Sequence, residues 1–149
     1  MLNEQEFTAW FRLLQAPGLG RTAVRRLLEG FGSPQAVWRA SPNAWRDVAG
    51  PAAANSLLQP APEFEARLAC ALKWRQGADD RRFIPLGDKA YPELLLHSPD
   101  APLLLYAIGP SNVLSRPSQA IVGSRSPMPQ GRENARSFAR ALGQRGYVV

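Results

Sequence analysis

The hydrophobic pattern of the N-terminal half of the chain is helical. Apolar residues recur at positions i, i+3, i+4 and i+7 from Phe7, and the same spacing recurs from Val24. These patterns predict helices over about residues 4–15 and 21–31, and a longer helix over about residues 62–76. Serine caps a helix and proline is tolerated in its first turn, so each Ser-Pro pair predicts the start of a short helix. The Ser-Pro pairs that precede these short helices are at 33–34 and 41–42.

The pattern becomes β-like in the C-terminal half. Short apolar runs cover residues 83–86 and 103–109. A third run, 120–122, is apolar at every position, as expected for a parallel strand covered on both faces. Helical spacing follows over residues 135–142, and the run 147–149 begins another strand. Because strands alternate with a helix here, the pattern predicts a βαβ unit of an open parallel sheet.

Together these patterns predict the α/β class and two domains. Residues 1–78 are expected to form a small helical domain of the sterile-alpha-motif (SAM) or helix-hairpin-helix type. Residues 79–149 are expected to form the beginning of a Rossmann-like domain. A single βαβ unit leaves a sheet with open edges, so we expect the chain to be a truncated part of a longer protein. A natural product with a native mass near 16 kDa would contradict that expectation.

Positive charge is concentrated at the C-terminal end. Residues 110–149 carry six arginines and a single acid, a net charge of +5, whereas residues 1–109 carry twelve basic and eleven acidic residues. This asymmetry favours a polyanionic partner, and the alternative is a solvated helix face that uses arginine. No apolar run reaches the roughly 18 residues that a membrane-spanning helix needs. The single cysteine, Cys70, is expected to be a buried thiol, which fits a reducing cytoplasm.

The most informative motif follows the apolar run 120–122. Gly123 lets backbone N–H groups approach an anion, while Ser124 adds a hydroxyl and Arg125 a positive charge. Ligands of open α/β sheets bind at the carboxyl ends of the strands, where this turn is expected to lie. The sequence therefore predicts a phosphate-binding turn formed by Gly123, Ser124 and Arg125, with Arg132 as a neighbouring cation.

A second candidate site lies between the first two predicted helices. Pro17-Gly18-Leu19-Gly20 resembles the turn of a helix-hairpin-helix, in which glycines free backbone N–H groups to hold a phosphate. Gly18, Gly20 and Arg21 are the candidate DNA contacts. The alternative is a plain two-helix corner in which the glycines permit a close crossing.

Other functional classes have weak support. The dinucleotide fingerprint is absent, because the glycine that follows Gly123 is Gly131, and no phosphate-binding P-loop motif occurs. The basic segment contains one acid, Glu133, and no histidine, and the lone His97 is expected in a surface loop. We therefore expect no catalytic residue, no metal and no cofactor. Two alternatives stay open: a Rossmann-like nucleotide phosphoribohydrolase-type enzyme, and a helical adaptor for duplex DNA or protein.

Four segments resemble the DNA-processing protein A family (DprA, also called Smf). They cover residues 17–33, 91–95, 101–109 and 121–131, and the last is the most specific because it contains the Gly-Ser-Arg turn. The chain departs from the family pattern at Met128 and Gln130.

This resemblance implies a helical domain followed by an extended Rossmann domain that binds single-stranded DNA in a basic pocket. It implies that Gly123, Ser124 and Arg125 hold DNA phosphates. It further implies protection of incoming single strands and loading of the RecA recombinase during natural transformation, in competence and DNA recombination. The complete protein is expected to be a cytoplasmic homodimer with no membrane partner.

Overall fold

A computed structural model describes residues 2–149 and shows a mixed α/β chain that is mostly helical. The chain forms two compact units, residues 1–109 and residues 110–149. The first unit contains seven helices and a two-stranded sheet among its described residues. Its first six helices are α1 (Glu4–Gln15), α2 (Arg21–Phe31), α3 (Pro34–Arg39), α4 (Pro42–Ala49), α5 (Pro51–Leu58) and α6 (Phe64–Gln76).

The ends of these helices follow from local sequence. At the start of α1, the Asn3 side chain accepts from the Glu6 amide and the Glu6 carboxylate accepts from the Asn3 amide, each at 2.9 Å. α2 ends at Gly32, whose φ of 80° is a left-handed conformation that glycine adopts without strain. Ser33 and Ser41 cap α3 and α4, so the helix starts predicted from the Ser-Pro pairs are confirmed.

The helices enclose a core of apolar side chains. Trp45 lies within it, and its indole N–H donates to the Val37 carbonyl at 2.7 Å, so the buried polar atom is satisfied. Most of the periodic positions from Phe7 and Val24 are buried, and the remaining three are partly buried against the core: Leu14, Leu28 and Phe31. The main buried members are Trp10, Leu13, Val24, Leu27, Val37, Trp45, Ala54, Leu57 and Leu103.

The sheet of the first unit pairs β1 (Arg81–Pro85) with β2 (Leu104–Ile108) in antiparallel register. A one-turn helix, α7 (Glu93–Leu96), lies between them in sequence. Phe83 of β1 stacks on Phe7 of α1, with ring centroids 3.8 Å apart. Together with the contact of Trp74 on Phe83 and the packing of Leu103 in the helical core, this stack joins the sheet to the helices in the compact unit that ends at Gly109. The domain assignment of 1–78 and 79–149 stays a prediction.

The second unit consists of a short 3-10 helix (Ser111–Ser115), an extended segment and α8 (Pro129–Gln144). The expectation that residues 120–122 form a covered strand is wrong for this structure: they are extended but exposed, Val122 to 91%. Strand pairing is reduced to one parallel bridge, between Ser118 and Val148. A strand that is apolar at every position needs cover on both faces, and none of the described residues supplies it. The Rossmann-like sheet therefore stays a prediction.

Two smaller expectations have opposite outcomes. Cys70 is exposed rather than buried, because α6 packs through Ala71 and the partly buried Phe64 and Leu68, and position 70 points away from them. His97 is exposed at the end of α7, which confirms its placement at the surface. Within residues 2–149, no helix has both the length and the apolar character that crossing a bilayer requires.

Candidate nucleic-acid interface

The Gly-Ser-Arg turn is an exposed bend in the second unit. Gly123 and Ser124 end the extended segment, the chain bends at residues 125–126, and α8 begins at Pro129. A Cβ atom at Gly123 would meet no atom within 4 Å, and its φ is not in the left-handed range. Neither crowding nor backbone strain therefore requires a glycine at position 123. Because glycine has no side chain, it leaves the backbone uncovered there.

The Ser124 side chain shapes the bend. Its Oγ accepts a hydrogen bond from the Ser126 amide at 3.2 Å, the local contact by which serine stabilises turns. The hydroxyl proton of Ser124 is not used by this bond and stays available to donate to an anion. The turn therefore presents a hydroxyl donor immediately before the Arg125 guanidinium.

Arg125 has a free positive charge. Its side chain is exposed and makes no ion pair or hydrogen bond with the residues that the structure describes. An arginine in this state can bind a phosphate without first leaving a protein carboxylate. Arginine binds phosphate well in general, and the phosphate-binding role of Arg125 stays a prediction.

The first turn of α8 adds backbone donors. Met128 has no side chain that can cap the helix, and the amides of Gln130 and Gly131 find no acceptor in the described part of the chain. The positive end of the helix dipole lies at the same place. Arg132 is exposed in this turn and is not ion-paired within residues 2–149. Its role as a neighbouring cation of the turn stays a prediction.

Further arginines continue along α8 from Arg132. Arg136 and Arg140 follow at four-residue steps, and successive members of this series are separated by about 6 Å along the helix axis. Arg136 lies 3.8 Å from the Glu133 carboxylate, whereas Arg140 has no ion pair among the described residues. A shallow depression at the start of the helix is lined by Pro127, Pro129, Gln130, Arg132, Glu133 and Arg136.

The candidate site between α1 and α2 differs from the Gly-Ser-Arg turn because its arginine is ion-paired. Gly18 adopts a φ of 72° and Gly20 caps α2 through its backbone alone. Arg21 forms an ion pair with Asp100, which lies in the loop before β2. The Asp100 carboxylate uses Nη1 of Arg21 and offsets its charge, so a phosphate would compete with it for Arg21. The DNA contact by Gly18, Gly20 and Arg21 stays a prediction.

The contacts that α2 makes with the loop before β2 could not be predicted from sequence spacing. Arg25 donates to the carbonyl oxygens of Pro99 and Ala101, at 3.0 and 2.6 Å. The partners are more than seventy positions apart in the chain, so only the tertiary fold brings them together.

No cluster of histidine, cysteine or carboxylate side chains that could hold a metal occurs within residues 2–149.

Comparison with known proteins identifies similar sequences. Residues 82–149 match the model of a family described as DNA recombination-mediator protein A. This match includes the Gly-Ser-Arg turn and all of α8. The chain is also 25% identical over 152 residues to the protein Smf of Synechocystis sp. (strain ATCC 27184 / PCC 6803 / Kazusa). That alignment covers 99% of this chain and 37% of the relative, so the chain spans little more than a third of the relative's length.

Proposed function

Because both comparisons support membership of this chain in the DNA-processing protein A (DprA/Smf) family, we propose that it contributes a single-stranded DNA-binding surface to a recombination mediator. The observation that carries the proposal is the free guanidinium of Arg125, exposed beside the Ser124 hydroxyl. In this proposal the protein acts by binding DNA and not as an enzyme.

The mechanism uses phosphate contacts. Arg125 and Arg132 provide charge, while Gly123 and Ser124 provide an uncovered backbone and a hydroxyl. The unpaired amides at the start of α8 provide further donors. Such contacts give affinity with little base preference, and the affinity falls steeply as salt rises, because binding releases the cations that surround the DNA.

The wider role follows the family. The surface binds incoming single strands in the cytoplasm, protects them and brings them to the RecA recombinase, and the complete protein acts as a homodimer. The helical part would be a SAM-like domain and the C-terminal part the start of a Rossmann-like domain. The net charge of +5 over residues 110–149 supports the placement of the DNA contact in that segment.

The direct test is the affinity of the protein for a labelled oligo(dT) strand at moderate salt, with and without Arg125→Ala. Loss of a charge-assisted hydrogen bond to phosphate should weaken binding about tenfold or more. Arg145→Ala is the matched control, because Arg145 is an exposed arginine of the same unit at the opposite end of α8. Equal affinities for wild type and Arg125→Ala would reject the role assigned to Arg125.

A further inference from the structure

An aromatic cluster at the surface of the first unit has no part in the proposed phosphate site. The Tyr106 ring of β2 contacts Trp74 of α6 and Phe83 of β1, with centroid distances of 5.0 and 4.9 Å. Trp74 also contacts Phe83 at 5.5 Å, and Phe83 is buried against Phe7. The three rings therefore form a rigid group that is anchored in the core on one side.

The other side of this group is open to solvent. Tyr106 is 50% exposed, and Ile108, two positions along on the same face of β2, is 66% exposed. The Tyr106 hydroxyl makes no hydrogen bond with the described residues, unlike the Tyr91 hydroxyl, which donates to the Pro102 carbonyl at 2.7 Å. An aromatic ring that is both fixed and exposed loses little conformational entropy when a flat ligand stacks on it.

A fixed cation lies beside the rings. The Arg81 guanidinium lies 5.6 Å from the centre of the Trp74 ring and donates to the Trp74 carbonyl at 3.0 Å. Gly77 leaves room for it, since a Cβ atom there would lie 2.6 Å from Arg81 Nη1. This carbonyl is a neutral acceptor, so it does not cancel the positive charge of Arg81.

The surrounding charge selects the kind of partner. Arg81 shares the face of β1 with Phe83, and Lys73 and Arg75 flank Trp74 in α6. Arg82 lies on the opposite face of β1, and Asp79 and Asp80 are the acids of the turn before it. Exposed aromatic rings flanked by fixed cations are the features with which proteins hold single-stranded nucleic acid, because bases stack on the rings and phosphates lie near the cations. The cation at the rings favours a partner that carries negative charge.

We propose that Tyr106, with Trp74 and Arg81 beside it, is a base-stacking platform for single-stranded nucleic acid. The platform is a different set of residues from the Gly-Ser-Arg turn. The inference rests on the proposed function only in taking single-stranded nucleic acid as the ligand. The platform contacts bases, whereas the turn contacts phosphates, and this difference separates the two in an experiment.

The test compares a labelled oligo(dT) with an abasic strand of the same length, by fluorescence anisotropy on the full chain. Tyr106→Leu removes the π-face but keeps apolar volume against Trp74 and Phe83. It should weaken oligo(dT) binding about 5- to 150-fold, the range measured for loss of one base–aromatic stack, and leave abasic binding unchanged. Tyr106→Phe, which keeps the ring, should bind both strands as the wild type does.

Ile108→Ala is the matched control, because it removes an exposed apolar side chain from the same face without removing a ring. It should leave the ratio of the two affinities unchanged. The platform is overturned if Tyr106→Leu binds oligo(dT) as tightly as wild type, or if it weakens both strands equally. Arg125→Ala should weaken both strands. If Arg125→Ala binds both strands as tightly as wild type, the phosphate-binding role of the turn is rejected. The ratio of the oligo(dT) and abasic affinities of Tyr106→Leu still tests the platform in that case.

Discussion

The environment of each arginine, rather than its type, separates the two candidate sites of this chain. Arg125 and Arg21 both follow a glycine-containing turn in the sequence. Tertiary structure leaves Arg125 free among the described residues and pairs Arg21 with Asp100. The sequence around each residue made both of them candidate phosphate contacts. The partner of Arg21 lies 79 positions away, so no local pattern identifies it.

The ion pair of Arg21 and Asp100 should contribute little to stability. Its side chains are 54% and 67% exposed, and pairs as exposed as this are worth about 0–1 kcal/mol because water screens them. We expect Asp100→Asn to change the free energy of unfolding, measured in urea, by less than about 1 kcal/mol. A loss of more than about 2 kcal/mol would show that the pair holds the loop to α2 more strongly than exposed pairs do.

The ionisation of Tyr106 should report its packing. Burial raises the pKa of the Tyr106 phenol above its ordinary value of 10.0. The folded state therefore favours the neutral phenol, and this stabilisation is present below pH 10 and is lost as the pH rises through the raised pKa. An ultraviolet titration should show one phenol of the wild type, absent in Tyr106→Phe, ionising above the pH at which it ionises in urea. Ionisation at the same pH in both conditions would contradict the packing.

At the scale of elements, periodic and capped segments were predictable. α1 and α2 have the bounds that their apolar spacing predicts. α5 was missed because its sequence, PAAANSLL, is apolar at most positions, so the face that buries Ala53, Ala54 and Leu57 does not stand out as a periodic stripe. The run 120–122 was assigned as a strand from its composition, but a strand is stabilised by its neighbours, and the described residues provide a single bridge. Composition alone cannot show whether those neighbours are present.

The capping box of α1 gives a prediction at this scale. Asn3→Ala removes the acceptor of the Glu6 amide and should lower the free energy of unfolding by about 1 kcal/mol, within a range of about 0.5–2. Urea denaturation measures it. Asn43→Ala is the control, because Asn43 lies exposed inside the first turn of α4, where Ser41 is the cap. Equal effects of the two substitutions would mean that the Asn3 cap contributes nothing specific.

At the scale of the whole molecule, the ring stack of Phe7 and Phe83 is one of the contacts that join the sheet to the helices. The contact between Phe7 and Phe83 could not be predicted from sequence, because 76 positions separate the two residues. The local pattern explains Phe7 in α1 and Phe83 in β1 without any contact between them. The charge pattern was predictable at this scale. The concentration of positive charge after residue 109, visible in the sequence, coincides with the second compact unit.

The stack should make a large contribution to stability. Phe83→Ala removes a buried ring and leaves a cavity against Phe7, so the free energy of unfolding should fall by about 3–5 kcal/mol. Phe83→Leu refills part of the cavity and should lose less. Denaturation in urea, followed by circular dichroism, compares the two variants. A loss below about 1 kcal/mol for Phe83→Ala would show that β1 is not held through this ring.

The central claim is that the Arg125 guanidinium binds a DNA phosphate, and the salt dependence of single-strand binding tests it most directly. The logarithm of the affinity for oligo(dT) is measured against the logarithm of the salt concentration for wild type and for Arg125→Ala. Each phosphate contact to a single strand contributes about 0.7 to the magnitude of this slope. We expect the slope for Arg125→Ala to be shallower by about that amount, with weaker binding at every salt concentration. A slope and an affinity equal to those of the wild type would contradict the claim.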